Sequence, residues 1–141
     1  FEFHLFGKIE NQSIVDLTKN NPRIILRGFV STEELNEECR NAFAFINPRQ
    51  NSEEANMTFP SKLLFYLQFK KPIISTHTDS LAPKYNKLLI KTNLNDVESF
   101  GNCIKQINKL NMDEYSKKID DFINENSWSR LVNELIKEYS E

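Results

Sequence analysis

Apolar residues in this chain fall into short, strand-like runs separated by stretches with near-helical spacing. The runs Phe1–Phe6, Arg23–Val30, Phe43–Asn47, Lys71–Thr76 and Lys87–Lys91 predict five strands. In the first, Phe1, Phe3 and Leu5 share one face and Glu2, His4 and Phe6 the other. Ser13–Asn20 predicts a short helix with Ile14 and Leu17 turned inward. It stops at Asn20-Asn21-Pro22, because a residue before proline avoids helical dihedrals. Ser31-Thr32-Glu33-Glu34 reads as a capping box opening a helix over Thr32–Asn41, which presents Leu35, Cys39 and Ala42. Pro60–Phe69 predicts a further helix, with proline where its missing N–H costs nothing. Asn95-Asp96-Val97-Glu98 starts another, whose Val97, Phe100, Ile104 and Ile107 form one apolar face. From Asn108 the strands cease. Helices are expected over Asp113–Glu125 and Ser127–Ser140, the last with an apolar stripe of Trp128, Leu131, Val132, Leu135, Ile136 and Tyr139. Trp128 is expected to anchor core or domain packing.

The order β-α-β-α-β-α-β-β-α-α-α predicts an α/β fold of three layers, helices covering a mainly parallel central sheet of about five or six strands, finished by C-terminal helices. Phe43–Asn47, apolar on both faces, is expected to take a central place. A division into residues 1–110 and 111–141 follows from the change of character near Asn108.

In parallel sheets ligands bind beyond the carboxyl ends of the strands. Two segments stand at such ends. Gly7-Lys8 follows the first strand, where a phosphate-cradling turn would stand, although one glycine is far short of a dinucleotide fingerprint. Arg49 to Thr58 follows the third strand and leads into the Thr58-Phe59-Pro60-Ser61-Lys62 junction. A helix start with the hydroxyls of Thr58 and Ser61 and the Lys62 cation suits a phosphate or diphosphate. The plainer reading is that Thr58 caps the helix and Lys62 is solvated. Arg49 is placed to meet an anion, or equally to pair with Glu53 or Glu54 and stiffen the loop. Glu53 and Glu54 are candidates for recognising sugar hydroxyls. Two neighbouring carboxylates in one loop do not by themselves make an acid–base pair across a glycosidic bond.

Composition removes several classes. The net charge of −2 over 141 residues, with dispersed Lys and Arg, gives no footprint for nucleic acid. Cys39 and Cys103, and His4 and His77, have no metal-ligand spacing. The cysteines read as buried small apolar residues of a reduced, cytoplasmic protein. No run approaches the length of a membrane span, and no signal peptide is present. Because a strand starts at Phe1 with no polar lead-in, the chain is expected to be a fragment of a longer protein, cut at a domain boundary.

The segments Phe6-Gly7, Asn21–Val30, Ala44–Arg49, Ser52-Glu53-Glu54, Phe59–Leu64 and Lys71–Thr76, in this order, resemble the C-terminal, donor-binding domain of group 1, family 4-type glycosyltransferases with the two-domain GT-B architecture. Asn126-Ser127-Trp128-Ser129 resembles the family's closing segment. The resemblance covers about the whole chain. It implies a Rossmann-like domain that binds a UDP- or GDP-sugar and faces an N-terminal acceptor domain across a cleft. It implies retaining transfer to a glycan or lipid-linked acceptor, as in polysaccharide biosynthesis, with no metal and no separate cofactor. The enzyme would be cytoplasmic, peripheral at the inner face of the membrane in its full-length form. By itself the fragment would bind but not turn over. The diphosphate would lie near Thr58–Lys62, with Gly7, Lys8 and Arg49 also in contact, and Glu53 or Glu54 as the catalytic carboxylate. Ribose and base would lie near the loops after the first and third strands, and the last helix would pack towards the N-terminal domain.

The chain departs from the family pattern at three places. Met57 and Phe65 stand where many relatives carry glutamates for the donor sugar and the ribose, and Lys70 stands where relatives often have the glycine of Gly-Lys-Pro. The first two leave open weak nucleotide affinity, a different grip on the ribose, or lost catalysis. A non-catalytic GT-B-like scaffold in glycan assembly is therefore the alternative. An unrelated doubly wound domain, such as a response-regulator-like or sugar-binding module, is a third. A receiver domain would want an acidic cluster after its first strand, which Phe6-Gly7-Lys8-Ile9-Glu10 lacks.

Overall fold

The structure, a computed structural model, describes residues 1–79, 81 and 83–139, without the side chains of Leu131, Glu134, Leu135, Lys137, Glu138 and Tyr139. Strand and helix alternate as expected of an α/β fold, and every paired strand is parallel. The chain forms two compact units, Phe1–Asn41 and Ala42–Glu141.

In the first unit β1 (Phe3–Phe6) pairs with β2 (Ile24–Gly28), in a register that shifts between Leu5 and Phe6. Between them runs α1 (Gln12–Lys19), started by the Asn11 side chain, which accepts the Ser13 N–H at 2.9 Å. Ile14 is half-buried on this helix, but Leu17, expected to face inward, is 55% exposed. Helix α2 (Thr32–Asn41) begins at the predicted cap, the Ser31 hydroxyl accepting the Glu34 N–H at 3.1 Å, and it buries Cys39. Glu38 of α2 ties this unit together: it pairs with Arg27 of β2 at 2.6 Å and shares a hydrogen bond with His4 of β1 at 3.2 Å.

The second unit is built on β3 (Phe45–Asn47), β4 (Ile73–Thr76) and β5 (Leu89–Thr92), in that order. Among the described residues the five strands thus pair as two and three, fewer in each sheet than the five or six expected. The third strand also does not hold the middle of its sheet. It is only three residues long and ends at Pro48, which has no N–H to donate. The middle strand is β4, whose four residues Ile73-Ile74-Ser75-Thr76 are all buried. Between β3 and β4 stand α3 (Glu53–Asn56), within what the pattern reads as loop, and α4 (Lys62–Leu67), which buries Leu63 and Leu67 one turn apart. A 3-10 helix, Pro83–Leu88, delivers the chain to β5. Helix α5 (Val97–Ile107), capped by Asp96, packs Cys103 and Ile107 against Ile74 and Ile90. Val97, expected on this face, is 87% exposed at the first position of the helix, where no neighbouring element covers it. Helix α6 (Met112–Glu125) buries Tyr115, Ile119 and Phe122.

The last helix, α7 (Trp128–Tyr139), leaves Trp128 81% and Val132 43% exposed. Trp128 is therefore no core anchor among the described residues. Ser140, the expected end of this helix, and the side chains of Leu131, Leu135 and Tyr139 of its stripe lie outside what is described. No helix among the described residues is long and apolar enough to cross a membrane.

Lys70, at the position where the resemblance expects glycine, has φ +53°. A side chain there costs about 1–2 kcal/mol, which glycine avoids. The Lys70 ammonium bridges Asp120 of α6 at 2.7 Å, and such exposed pairs contribute about 0–1 kcal/mol. Lys70→Ala and Lys70→Gly both lose this bridge, and only the second relieves the backbone. Urea denaturation should therefore find Lys70→Gly more stable than Lys70→Ala by about 1 kcal/mol.

Candidate functional site

The three parallel strands of the second unit end together at Asn47, Thr76 and Thr92. At this end a polar network replaces the apolar core. The Asn47 amide donates to Ser75 Oγ at 3.0 Å, and the Ser75 hydroxyl donates to the Thr76 carbonyl at 2.9 Å. All three residues are buried, so these bonds satisfy groups that water cannot reach.

Arg49 follows at once. Its backbone N–H donates to Thr76 Oγ1 at 2.8 Å, and the Thr76 hydroxyl donates back to the Arg49 carbonyl at 2.6 Å. Its guanidinium reaches over the loop to the Ala55 carbonyl at 2.6 Å, the Thr58 carbonyl at 3.1 Å and Thr58 Oγ1 at 3.0 Å. The guanidinium acceptors described are thus carbonyls and a hydroxyl, whereas the stiffening expected of it runs through Glu53 or Glu54.

The loop is braced a second time. Asn56 donates to Asn51 Oδ1 at 2.7 Å and accepts the Asp79 N–H at 3.0 Å. Asn51 and Asn56 both approach Asp79 Oδ2, at 3.5 and 3.4 Å, and His77 lies 3.7 Å from the other Asp79 oxygen. Ser52 caps α3 by accepting the Ala55 N–H at 3.2 Å. Glu53 and Glu54 occupy the first turn of that helix, exposed, where carboxylates sit favourably against the amide ends.

The junction into α4 is anchored by rings. Phe59 packs on Tyr85 with centroids 5.1 Å apart, and Tyr85 on Phe122 at 5.0 Å. Burial pushes the Tyr85 hydroxyl above its ordinary range. Thr58 Oγ1 serves Arg49, and Ser61 makes no side-chain cap bond. The N–H groups of Leu63 and Leu64 already donate to the carbonyls of Pro60 and Ser61, at 2.9 and 3.1 Å. Accepting from Arg49 does not use the Thr58 O–H, so this junction holds out to an anion the hydroxyls of Thr58 and Ser61 and the Lys62 ammonium, all on exposed residues. Met57 is 77% exposed. Phe65 packs edge-on against Phe69 at 5.2 Å, in a ring group with Tyr66 and Phe45. Its aromatic side chain has been absorbed into packing.

Gly7 and Lys8 belong to the first unit. Gly7 has φ +99° and donates its N–H to the Gly28 carbonyl at 2.7 Å, closing the paired ends of β1 and β2. Lys8 pairs with Glu10. A depression of about 340 Å³ lies elsewhere, at the end of β5, lined by polar residues including Lys91, Asp96, Ser99 and Asn102. Its floor is the cap of α5. Asp96 accepts the Ser99 N–H at 2.8 Å, which with the Asn93 amide holds its carboxyl below the usual range. The Cys103 thiol there donates to the Lys91 carbonyl at 3.2 Å. This hollow is accounted for by helix capping. Among the described residues no group of three or more His, Cys, Asp or Glu could hold a metal ion.

Periodicity could not reveal that Thr76 bonds Arg49 or that Asn56 bonds Asp79, because these partners lie more than twenty residues apart in sequence. The one available signal is the run of small hydroxyl residues closing an otherwise apolar strand.

A family model described as "Glycosyl transferases group 1" matches residues 1–109. No curated protein matches the chain.

Proposed function

Since the chain belongs to the group 1 glycosyl transferases, we propose that it provides the donor-binding part of a retaining enzyme that moves a sugar from a nucleotide-sugar to a glycan or lipid-linked acceptor. The observation that carries this reading is the braced polar loop at the carboxyl ends of β3 and β4. It lies where open parallel sheets take ligands, and within the matched segment.

In this reading the diphosphate of a UDP- or GDP-sugar meets Ser61 and Lys62. When the sugar–phosphate bond breaks, negative charge grows on the departing diphosphate. The Lys62 ammonium opposes it, and the Ser61 hydroxyl donates to a phosphate oxygen. Protein cations carry this charge without a metal. Glu53 or Glu54 supplies the carboxylate that accepts from sugar hydroxyls. Within the first unit, taken by itself, the Gly7-Lys8 turn is a further candidate for donor contact. The acceptor is held by a further domain in the complete enzyme, which works as a peripheral protein at the cytoplasmic face of the membrane.

The test is an NMR titration of the chain with UDP, GDP, ADP and CDP. At least one should shift amides within Arg49–Lys62 at millimolar concentration, and the tightest binder names the base. Silence of the whole loop with all four would overturn the donor reading. A second reading, a non-catalytic partner in glycan assembly, is favoured by Phe65, whose position holds packed rings instead of a carboxylate. Under it the complete protein would show no sugar transfer from any nucleotide-sugar.

A further inference from the structure

We propose that Arg49 is a positioning residue, a clasp that holds the β3–α4 loop on the end of β4, rather than a ligand of the anion. It is bound at both ends. Its backbone exchanges two hydrogen bonds with the buried Thr76 hydroxyl, at 2.8 and 2.6 Å. Its side chain holds Ala55 and Thr58, six and nine residues further on, through three bonds of 2.6–3.1 Å. Ala55 lies in α3, so the cation meets a carbonyl near the negative end of that short helix. Bonds from an ionised donor are roughly twice as strong as neutral ones.

The residue type follows from the geometry. Three acceptors spread over two residues need a planar fork with several N–H groups, whereas a lysine is a point charge on a flexible stem. Three of the five guanidinium donors are committed to the loop. Thr58 Oγ1 accepts from the guanidinium while its O–H keeps its capacity to donate, so Thr58, Ser61 and Lys62 are the exposed polar residues at the junction. A loop ordered before its ligand arrives loses less conformational freedom on binding, so the clasp favours affinity without touching the ligand. This link to affinity rests on the donor reading above; the ordering of the loop does not.

The experiment compares Arg49→Met, Arg49→Lys and Thr76→Val with the unaltered chain by amide hydrogen exchange and nucleoside diphosphate titration. Thr76→Val keeps the guanidinium charge and releases only the backbone end of the clasp. In Arg49→Met and Thr76→Val the amides of Ala55, Asn56 and Met57, each hydrogen-bonded here at 2.9–3.2 Å, should exchange about tenfold faster, while those of β4 keep their protection. The double variant should exchange no faster than either single one, since both break one device. Arg49→Lys should not rescue. Nucleotide affinity should fall with the loss of protection, in Thr76→Val as in Arg49→Met. Unchanged exchange in the loop overturns the clasp, and an affinity loss confined to the Arg49 variants assigns Arg49 to the ligand instead. Should Arg49→Met fail to fold, Thr76→Val and Arg49→Lys decide. If the unaltered chain binds none of the nucleotides, the donor reading fails while the exchange result still settles the clasp.

Discussion

Replacing Ile74 by Ala should lower the unfolding free energy by about 2–5 kcal/mol. Ile74 is fully buried in β4, the middle strand of its sheet. It packs with Ile90, Cys103 and Ile107, and Ala44, Phe100, Ile104 and Leu110 close over them. The substitution removes transfer free energy and leaves a cavity, which neighbours held by two parallel ladders have little freedom to fill. Domains of this size are stable by about 5–15 kcal/mol, so the loss is a large share of the whole. Ile74→Val should cost about 0.5–1.5 kcal/mol, since it removes one methyl group. Urea denaturation followed by circular dichroism would measure both. Near-equal midpoints for Ala and Val would mean that this site collapses freely and is not the centre of the core.

Tyr115→Phe should cost about 1–3 kcal/mol at neutral pH, although it removes only one oxygen. The Tyr115 hydroxyl donates to the Leu88 carbonyl at 2.7 Å and accepts the Ile73 N–H at 3.3 Å. It therefore ties α6 to the start of β4 and to the residue before β5, and its loss leaves two buried backbone groups unsatisfied. The same oxygen gives a pH signature. Burial pushes this hydroxyl up to about 12, against the opposing pull of the Ile73 N–H. The unfolded chain releases the proton near pH 10, so between pH 10 and 12 the folded state holds more protons than the unfolded one. Stability therefore falls as pH rises through this window, by at most about 3 kcal/mol from this group. Below pH 10 its contribution is constant. The Phe variant has no such proton, so the gap between the two proteins should narrow from pH 10 towards pH 12. A gap that stays constant over this range would show that Tyr115 ionises as freely folded as unfolded.

These two side chains differ in how plainly they could be read beforehand. Ile74 stands in an apolar run that can only be a buried strand, and its place in the core follows from the run alone. Tyr115 lies in the expected helix Asp113–Glu125, whose buried face of Tyr115, Ile119 and Phe122 the structure shows. Its bonds to Leu88 and Ile73 lie 27 and 42 residues away, and no period connects them. The same division runs through the candidate site. Proline at 60, the capping signals at Ser31 and Asp96, and the switch from strands to helices near Asn108 are local features, decided by dihedrals and near neighbours. Helix Thr32–Asn41 accordingly lies where its pattern places it. Leu17, Val97 and Trp128 are apolar at helical spacing yet exposed, because a stripe is buried only where a neighbouring element covers it.

The sequence by itself determined the α/β class, the order of the strands and of every helix but the short α3 and the 3-10 turn, and the polar segment after the third strand, since each depends on patterns a few residues long. It also carried the family resemblance, whose ordered motifs the family match upholds over residues 1–109. Only the tertiary structure decided that β4 rather than β3 holds the middle of its sheet, and that Lys70 occupies a left-handed position. It alone decided that the Arg49 guanidinium bonds the carbonyls of Ala55 and Thr58 and the Thr58 hydroxyl. Hydrogen bonds select partners by distance and direction in space, and those are known only when Thr76, Ala55 and Thr58 have been brought to one place by folding.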